Sequence, residues 1–431
     1  MRRYLKQATA AATAERAAPE AKVREMLAAI RAEGDAAVKR FARDLDRWEA
    51  KDFRVGPERI REVERQLPET FKEDFAVCLH NVTEFAKRQL ETLVSFETEI
   101  DEGIVIGQKQ IPVNRVGCYI PGGKYPLVSA AIMSVGTARV AGVGHVIGCA
   151  PPRDEEGIFP PTLYGLAQAG ADEIYCIGGV QAMAAMAYGC VGMNPVDVIT
   201  GPGNAFVAEA KRQLYGTVGI DLLAGPTEVC VIADASADPF VVATDLVGQA
   251  EHGPDSPAWL ITTSEELGQA VIKEVERQLE TLATRDLAGP AWRDHGEVIL
   301  VSDADAAIAV SDDYAPEHLE LQTEDDDYYL ERLTNYGSLF VGEEATVAYG
   351  DKGVGTNHTL PTGRAARYTG GLWVGKFIKT VTWQRLGKEA SRKIARPLAR
   401  ICEVEGLVAH GISCDLRYDR YAPRNEDEVG R

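Results

Sequence analysis

The chain has 431 residues, 45% of them apolar and 26% charged, with a formal net charge of −19. That length allows two or more domains with sizeable cores, and the apolar content is ordinary for a globular protein. The acidic balance, with no basic run or stripe, speaks against a nucleic-acid partner, and no apolar run is long enough to span a bilayer.

The first stretch, MRRYLKQATAAATAERAAPE, carries two arginines with no apolar core behind them. It reads as an arm or short helix of a cytoplasmic protein and not as a secretory signal. From about 20 to 100 the pattern is helical and amphipathic, with breaks at Gly34, Gly56 and Pro68. The texture then changes. RVGCYIPGG, HVIGCAPP, EIYCIGG and DVITGPGN are short β-rich runs ending in Gly or Pro, separated by Ala-rich helical stretches. A second alternating series follows: EVCVIAD, a helix from Asp238 toward His252, AWLITTS, a helix over 264–282, and GEVILVSD. Strands alternating with helices predict α/β architecture with parallel sheets, and two α/β units are the simplest account. The run WVGKFIKTVTWQRL reads as helix-like, and the last dozen residues, RYAPRNEDEVGR, as a polar tail.

Several of the eight cysteines lie in strand-like runs such as VIGCA and IYCIGG, and none forms a C-x-x-C pair. A reducing compartment fits this usage. A metal would then be held by histidine, carboxylate or amide groups, and the chain has seven histidines. Cys118 is a nucleophile candidate by type, but at the end of an apolar run it reads as a structural thiol.

Open parallel sheets bind ligands beyond the carboxyl ends of their strands. GPGNAFVAEAKRQL (201–214) is a Gly turn opening a helix, which offers N–H groups and a positive dipole end to an anion; YIPGGKYPLVS (119–129) and IGGVQA (177–182) share that character. Each alone reads more readily as a tight turn, and three in one sheet favour a dinucleotide site. The polar clusters lie further on. In VGQAEHGPDS, Gln249 and His252 stand three apart at the end of a helix, before Gly253-Pro254, a spacing that suits either a metal clamp or a capped helix end. YAPEHLEL sets Glu317 beside His318, which predicts a turn or helix start where both face one cavity as a carboxylate for water and a proton acceptor. AYGDKGVGTNHTLPTG carries Asp351 and His358, and VEGLVAH carries Glu405 and His410. Asp351, His252, His410 and Gln249 would make a nitrogen and oxygen ligand set suited to zinc; spacing alone does not show that they converge.

In order and spacing, GPGNAFVAEAKRQLYGTVGIDLLAGPTEVCVIAD, DLVGQAEHGPDS, YAPEHLEL, GDKGVGTNH and EGLVAH resemble the histidinol dehydrogenase family over nearly the whole chain. The resemblance implies two incomplete Rossmann-like domains with small N- and C-terminal segments. Residues 1–20 would be the arm, 21–118 and 229–372 the first domain, 119–228 the second, inserted one, and 373–431 a C-terminal helical segment and tail. It also implies an intertwined homodimer whose active sites take residues from both subunits. Position by position it makes Gln249, His252, Asp351 and His410 zinc ligands, Glu317 and His318 the acid/base pair, and Tyr119, Gln181 and Asn204 the NAD contacts. Substrate contacts fall on Thr227, His358 and Glu405, with threonine at 227 where serine is usual. The reaction implied is oxidation of a primary alcohol to an acid in two NAD-dependent steps.

Lys124-Tyr125 replaces the small residues usual in that loop, and RAARYTGGLWVGKFIKTVTWQR brings Arg364, Trp373 and Lys376 near the pocket. In this the chain resembles a branch of the family that oxidises (R)-2,3-dihydroxypropane-1-sulfonate (sulfopropanediol) to sulfolactate in organosulfonate breakdown. A sulfonate needs cationic or N–H donors, which Lys124 and Arg364 would supply, although each reads equally as a solvated rim residue. L-Histidinol is the alternative substrate, since Glu405 and His358 are both present. A zinc hydrolase that uses Glu317 to activate water is the alternative of another class.

Overall fold

RVGCY, HVIGCA, EIYC and DVIT form strands because apolar and β-branched side chains bounded by Gly and Pro can be buried on both faces of a parallel sheet. The computed structural model describes residues 2–9, 17–123 and 125–423. It contains a sheet of five parallel strands: Arg115–Tyr119, His145–Ala150, Glu173–Cys176, Val198–Thr200 and Gly219–Ile220. Numbered along the chain, they lie in the spatial order third, second, first, fourth, fifth.

A second sheet repeats that order with Val229–Ala233, Ala258–Thr262, Glu297–Leu300, His318–Gln322 and Ser338–Val341, all parallel. The N-terminal strand Arg3–Lys6 pairs antiparallel with Glu297–Leu300 at its edge, so part of the expected arm is sheet. Both faces of this sheet are covered, with Leu246, Val271 and Trp292 in the core on one side and Ala307, Leu321 and Tyr329 on the other.

The helical stretch ahead of the sheets breaks where the sequence predicts. Helices Ala17–Glu33 and Asp35–Asp46 meet at Gly34, Pro57–Gln66 begins after Gly56, and Glu69–Glu91 begins after Pro68. Val23, Ile30 and Val38 share one core with Ile147, Tyr175 and Met183, so the first two helices pack on the five-stranded sheet.

These parts form one unit, Met1–Leu90 with Val113–Phe377, and Glu91–Pro112 with Ile378–Arg431 forms another. The structure corrects one expectation. The helix-like run supplies a short 3₁₀ turn, Val374–Phe377, and then the strand Ile378–Leu386, paired antiparallel with Ile104–Pro112 along its whole length. The physical reason is the β-branched alternation of Ile378, Thr380, Val381 and Thr382, which suits a pleated surface. Phe96–Asp101 completes this three-stranded sheet, and the helices Lys388–Val404 and Val408–Arg420 follow. Residues 424–431 of the expected tail lie outside the described residues. Among the described residues no helix is long and apolar enough to cross a membrane.

Candidate active site

Helix Ala304–Tyr314 ends with Ala315 in the left-handed region at φ 47°, and Pro316 cannot continue it. The chain then enters the strand His318–Gln322, so Glu317 and His318 stand at the amino end of a sheet strand and not on a helix start. Thr227 and Glu228 occupy the same edge, just ahead of the neighbouring strand Val229–Ala233, where His318 pairs with Val229. Thr227 Oγ donates to Glu317 Oε2 at 2.6 Å, and the Glu228 backbone N–H donates to the same oxygen at 2.9 Å. His318 Nδ1 lies 3.0 Å from the Glu228 carbonyl oxygen. That acceptor fixes the neutral tautomer with hydrogen on Nδ1, leaving Nε2 as the basic nitrogen.

The electrostatics follow from three carboxyl groups crowded round one imidazole. Burial pushes the Glu317 carboxyl up, opposed by His318 and the Thr227 hydroxyl. Burial also acts to lower His318, but the charges of Glu317 and Asp351 outweigh it and raise the imidazole to about 9. Glu228, buried with Glu317 beside it, is pushed up to about 8. Sequence reasoning missed Glu228. Its only signal is a charged residue at the mouth of the apolar run VCVIA.

Asp238 caps helix Pro239–Ala250 by accepting from the Phe240 N–H, with Pro239 in the first turn. Gln249 is in its last turn; His252 lies just past the helix end, its N–H donating to the Gln249 carbonyl at 3.2 Å. The Gln249 amide donates from Nε2 to Thr227 Oγ, which leaves Oε1 as its free donor atom for a cation. Asp351, in helix Val347–Lys352, has Oδ1 3.7 Å from His318 Nε2. Burial acts to raise Asp351, but the close approach of His318 and the field of His358 hold it well below the usual carboxylate range. Burial lowers the His252 imidazole, opposed by the charge of Asp351, and its Nδ1 is buried with no partner among the described residues. A carboxylate, an imidazole and an amide oxygen fit a zinc-type donor set. His410 belongs to the second unit, exposed on helix Val408–Arg420. No group of three or more His, Cys, Asp or Glu poised for a metal occurs among the described residues.

The Gly turns gather at the carboxyl edge of the five-stranded sheet, where the sequence places a ligand crevice. Tyr119 ends the first strand, and its hydroxyl accepts the Gly179 N–H at 3.2 Å. Gln181 lies in the first turn of helix Gly179–Tyr188, and its Nε2 donates to Asp46 at 2.7 Å. Asn204 caps helix Ala205–Leu214, its Oδ1 accepting from the N–H groups of Phe206 and Val207. Gly201 approaches the first strand so closely that a Cβ would sit 2.0 Å from the Tyr119 carbonyl oxygen; with φ at 117°, only glycine fits. Its N–H donates to Asp221, and its carbonyl accepts from Lys211 Nζ at 2.9 Å. The two helix N-termini and the glycine cradle fit a dinucleotide.

The two edges are linked. Ser129 Oγ lies 3.4 Å from His358 Nε2, and Asn357 Nδ2 donates to the Met133 carbonyl at 2.8 Å. His358 thus stands between the cofactor-type turns and the Glu317 cluster, its imidazole lowered by burial. The 361–363 segment is pinned beside that cluster, with Gly225 N–H donating to Thr362 Oγ and Gly363 N–H to Glu228 Oε1. Arg364 turns outward: its guanidinium pairs with Asp313 at 2.7 Å, on an exposed surface shared with Arg367. Lys124 lies outside the described residues. Glu405 is exposed at the end of helix Lys388–Val404 in the second unit. Cys118 is wholly buried and pushed up to about 12 by that burial, which leaves it an inert thiol.

The family model for histidinol dehydrogenase matches residues 9–418. The chain is 52% identical over 402 residues to a histidinol dehydrogenase homolog of Shouchella clausii, covering 93% of this chain and 95% of that one. It is 47% identical over 422 residues to the sulfopropanediol 3-dehydrogenase of Ruegeria pomeroyi, covering 97% of each. Among solved structures, histidinol dehydrogenase from Elizabethkingia anophelis superposes with a TM-score of 0.90 at 33% identity, covering 96% of this chain and 95% of the other.

Proposed function

The chain belongs to the histidinol dehydrogenase family, and from that premise we propose a zinc- and NAD-dependent enzyme that oxidises a primary alcohol to a carboxylate in two steps. The observation that carries the reading is the cluster at one sheet edge. There a basic His318 Nε2 stands beside a Glu317 carboxylate oriented by the Thr227 hydroxyl and the Glu228 N–H.

When bound, NAD accepts a hydride in each step and zinc holds and polarises the substrate oxygen. Gln249, His252 and Asp351 would hold the metal with His410, and Tyr119, Gln181 and Asn204 the dinucleotide. His318, once unprotonated as the pH rises toward its raised value of about 9, takes the hydroxyl proton at Nε2, with Nδ1 anchored on the Glu228 carbonyl. Glu317 then orients and deprotonates the water that hydrates the aldehyde, and the hydrate gives up its second hydride. Per alcohol, two NAD⁺ and one water yield the carboxylate, two NADH and three protons.

The proposed architecture is two incomplete Rossmann-like domains, supported by the shared strand order of the two parallel sheets. One is the inserted domain 119–228, which the strand Arg115–Tyr119 leads into; the other is 229–372. The family resemblance counts 21–118 with the latter, although its first helices pack on the former. The enzyme would be a cytoplasmic homodimer, with a second copy supplying Glu405 and His410. Ile401, Val404, Val408 and Ile412 lie exposed around those two residues, as an apolar face awaiting a partner would.

For substrate we propose (R)-2,3-dihydroxypropane-1-sulfonate, oxidised to sulfolactate, with Lys124 as the cation for the sulfonate; Arg364, paired with Asp313 on an exposed surface, reads as a solvated rim residue instead. The 47% identity to a sulfopropanediol 3-dehydrogenase over nearly the full length of both chains supports it. L-Histidinol is the second reading, favoured by His358 beside the Glu317 cluster and by the presence of Glu405. The test is NADH formation by the zinc-loaded enzyme with each alcohol in parallel. Two NADH per sulfopropanediol establish the proposal, turnover of L-histidinol alone replaces the substrate, and hydrolysis without NADH withdraws the redox reading.

A further inference from the structure

Gln181 is 1% exposed, and its Oε1 has no hydrogen-bond partner among the described residues. Its other amide atom is committed: Nε2 donates to Asp46 Oδ2 at 2.7 Å. Asp46 is the last residue of helix Asp35–Asp46, and its carboxylate is held in place by the Gly178 N–H as well. Burial raises the Asp46 carboxyl, opposed by the bonds from Gln181 and Gly178, and a carboxylate only accepts hydrogen bonds, so it dictates which way the amide points. The NH₂ group must face Asp46, and the oxygen must face away. That oxygen lies against the bare Cα of Gly179, where a Cβ would come within 3.1 Å of it. The Gly179 N–H is already taken by Tyr119. The turn between the third strand and its helix therefore presents a buried acceptor that lacks a donor.

We infer that Asp46 is a positioning residue of the cofactor site, holding Gln181 so that Oε1 accepts a hydrogen bond from a ribose hydroxyl of the dinucleotide. This rests on the NAD reading above. The donor requirement excludes a phosphate contact. A phosphate oxygen carries no hydrogen and would face Oε1 as acceptor against acceptor, close to the Asp46 charge. A hydroxyl supplies the missing hydrogen and leaves no buried polar atom unpaired. Asp46 is separated from Gln181 by 135 positions, and its role depends entirely on the helix packing that brings them together.

The experiment is calorimetric titration of the full-length enzyme with NAD⁺, for the native protein and for Asp46→Leu, Asp46→Asn, Gln181→Met and the double variant Asp46→Leu/Gln181→Met. One hydrogen bond lost corresponds to about a tenfold rise in Kd for Asp46→Leu and for Gln181→Met. The double variant is expected to rise no further, because both changes remove the same contact. Asp46→Asn keeps an acceptor for the amide nitrogen and is expected to stay within about threefold. Additive losses in the double variant overturn the inference, as does an unchanged Kd in Gln181→Met, which holds even if Asp46→Leu fails to fold. Native protein that binds no NAD⁺ overturns the cofactor reading itself and the inference with it. NADP⁺ narrows the hydroxyl: discrimination against it that collapses in Asp46→Leu assigns the adenosine 2′-hydroxyl, and unchanged discrimination with weaker NAD⁺ binding assigns another ribose hydroxyl of the dinucleotide.

Discussion

Thr227 and Glu317 meet hydroxyl to carboxylate at 2.6 Å, across 90 positions of chain. Gln249 donates to the same hydroxyl, so Thr227 couples a candidate metal ligand to a candidate base. Thr227→Val keeps the shape and removes the hydroxyl, leaving a buried carboxylate oxygen short of a donor. The expected outcome is a fall of about ten- to a hundredfold in kcat/KM. Thr227→Ser is expected to keep most of the activity. Steady-state rates of the two variants check this; a loss in Thr227→Ser with activity retained in Thr227→Val would mean that the methyl group, and not the hydroxyl, matters.

The proposed metal set predicts a joint loss. His252→Ala and His410→Ala are each expected to lower bound zinc below one per subunit and to abolish turnover. Metal content by elemental analysis, read beside activity, decides it. Full zinc content in either variant would remove that residue from the set.

Glu320 is wholly buried on strand His318–Gln322, with Oε1 accepting from the Val347 N–H at 3.0 Å. Asp245 faces it from helix Pro239–Ala250, bonded to Gln322 and Thr346. Burial, with Asp245 beside it, raises Glu320 to about 8 from a usual value of 4.5. The native state then binds this proton more tightly than the unfolded state. The stabilisation is complete below about pH 4.5, drains away as pH rises toward about 8, and is gone above that. Glu320→Gln removes the titration. Between pH 5 and 8 the native protein is expected to lose melting temperature relative to that variant. Parallel curves across the window would show that Glu320 is ionised in the fold.

What could be read from the sequence depended on how local the signal was. Runs such as HVIGCA and VCVIA announce buried strands because their apolar side chains leave no polar face, and Gly and Pro mark their ends. Gln249 and His252 are three apart, so their proximity needs no tertiary knowledge. WVGKFIKTVTWQRL misleads because its strand partner, Ile104–Pro112, lies far back in the chain. The same holds for Glu317 and His318, whose placement on a sheet edge depends on Pro316 ending the preceding helix and on pairing with Val229. Glu228 and Asp46 were invisible for a related reason: each is an ordinary acidic residue until packing brings its distant partner within reach.

Lys211 and Asp221 pair in the interior, with side chains 3% and 0% exposed. Between them they bind both backbone polar groups of Gly201, the residue that lets the cofactor-type turn lie against Tyr119. A buried ion pair adds little net stability over apolar packing, yet losing one partner strands the other charge. Lys211→Met or Asp221→Leu alone is therefore expected to cost about 3–5 kcal/mol in urea unfolding. The double variant should recover most of that, because no charge is left unpaired. Its Gly201 turn, however, loses both anchors, so its affinity for NAD⁺ should stay weak while its stability returns. A double variant that regains both would reduce the pair to a packing element; one that regains only stability would identify it as the anchor of the turn.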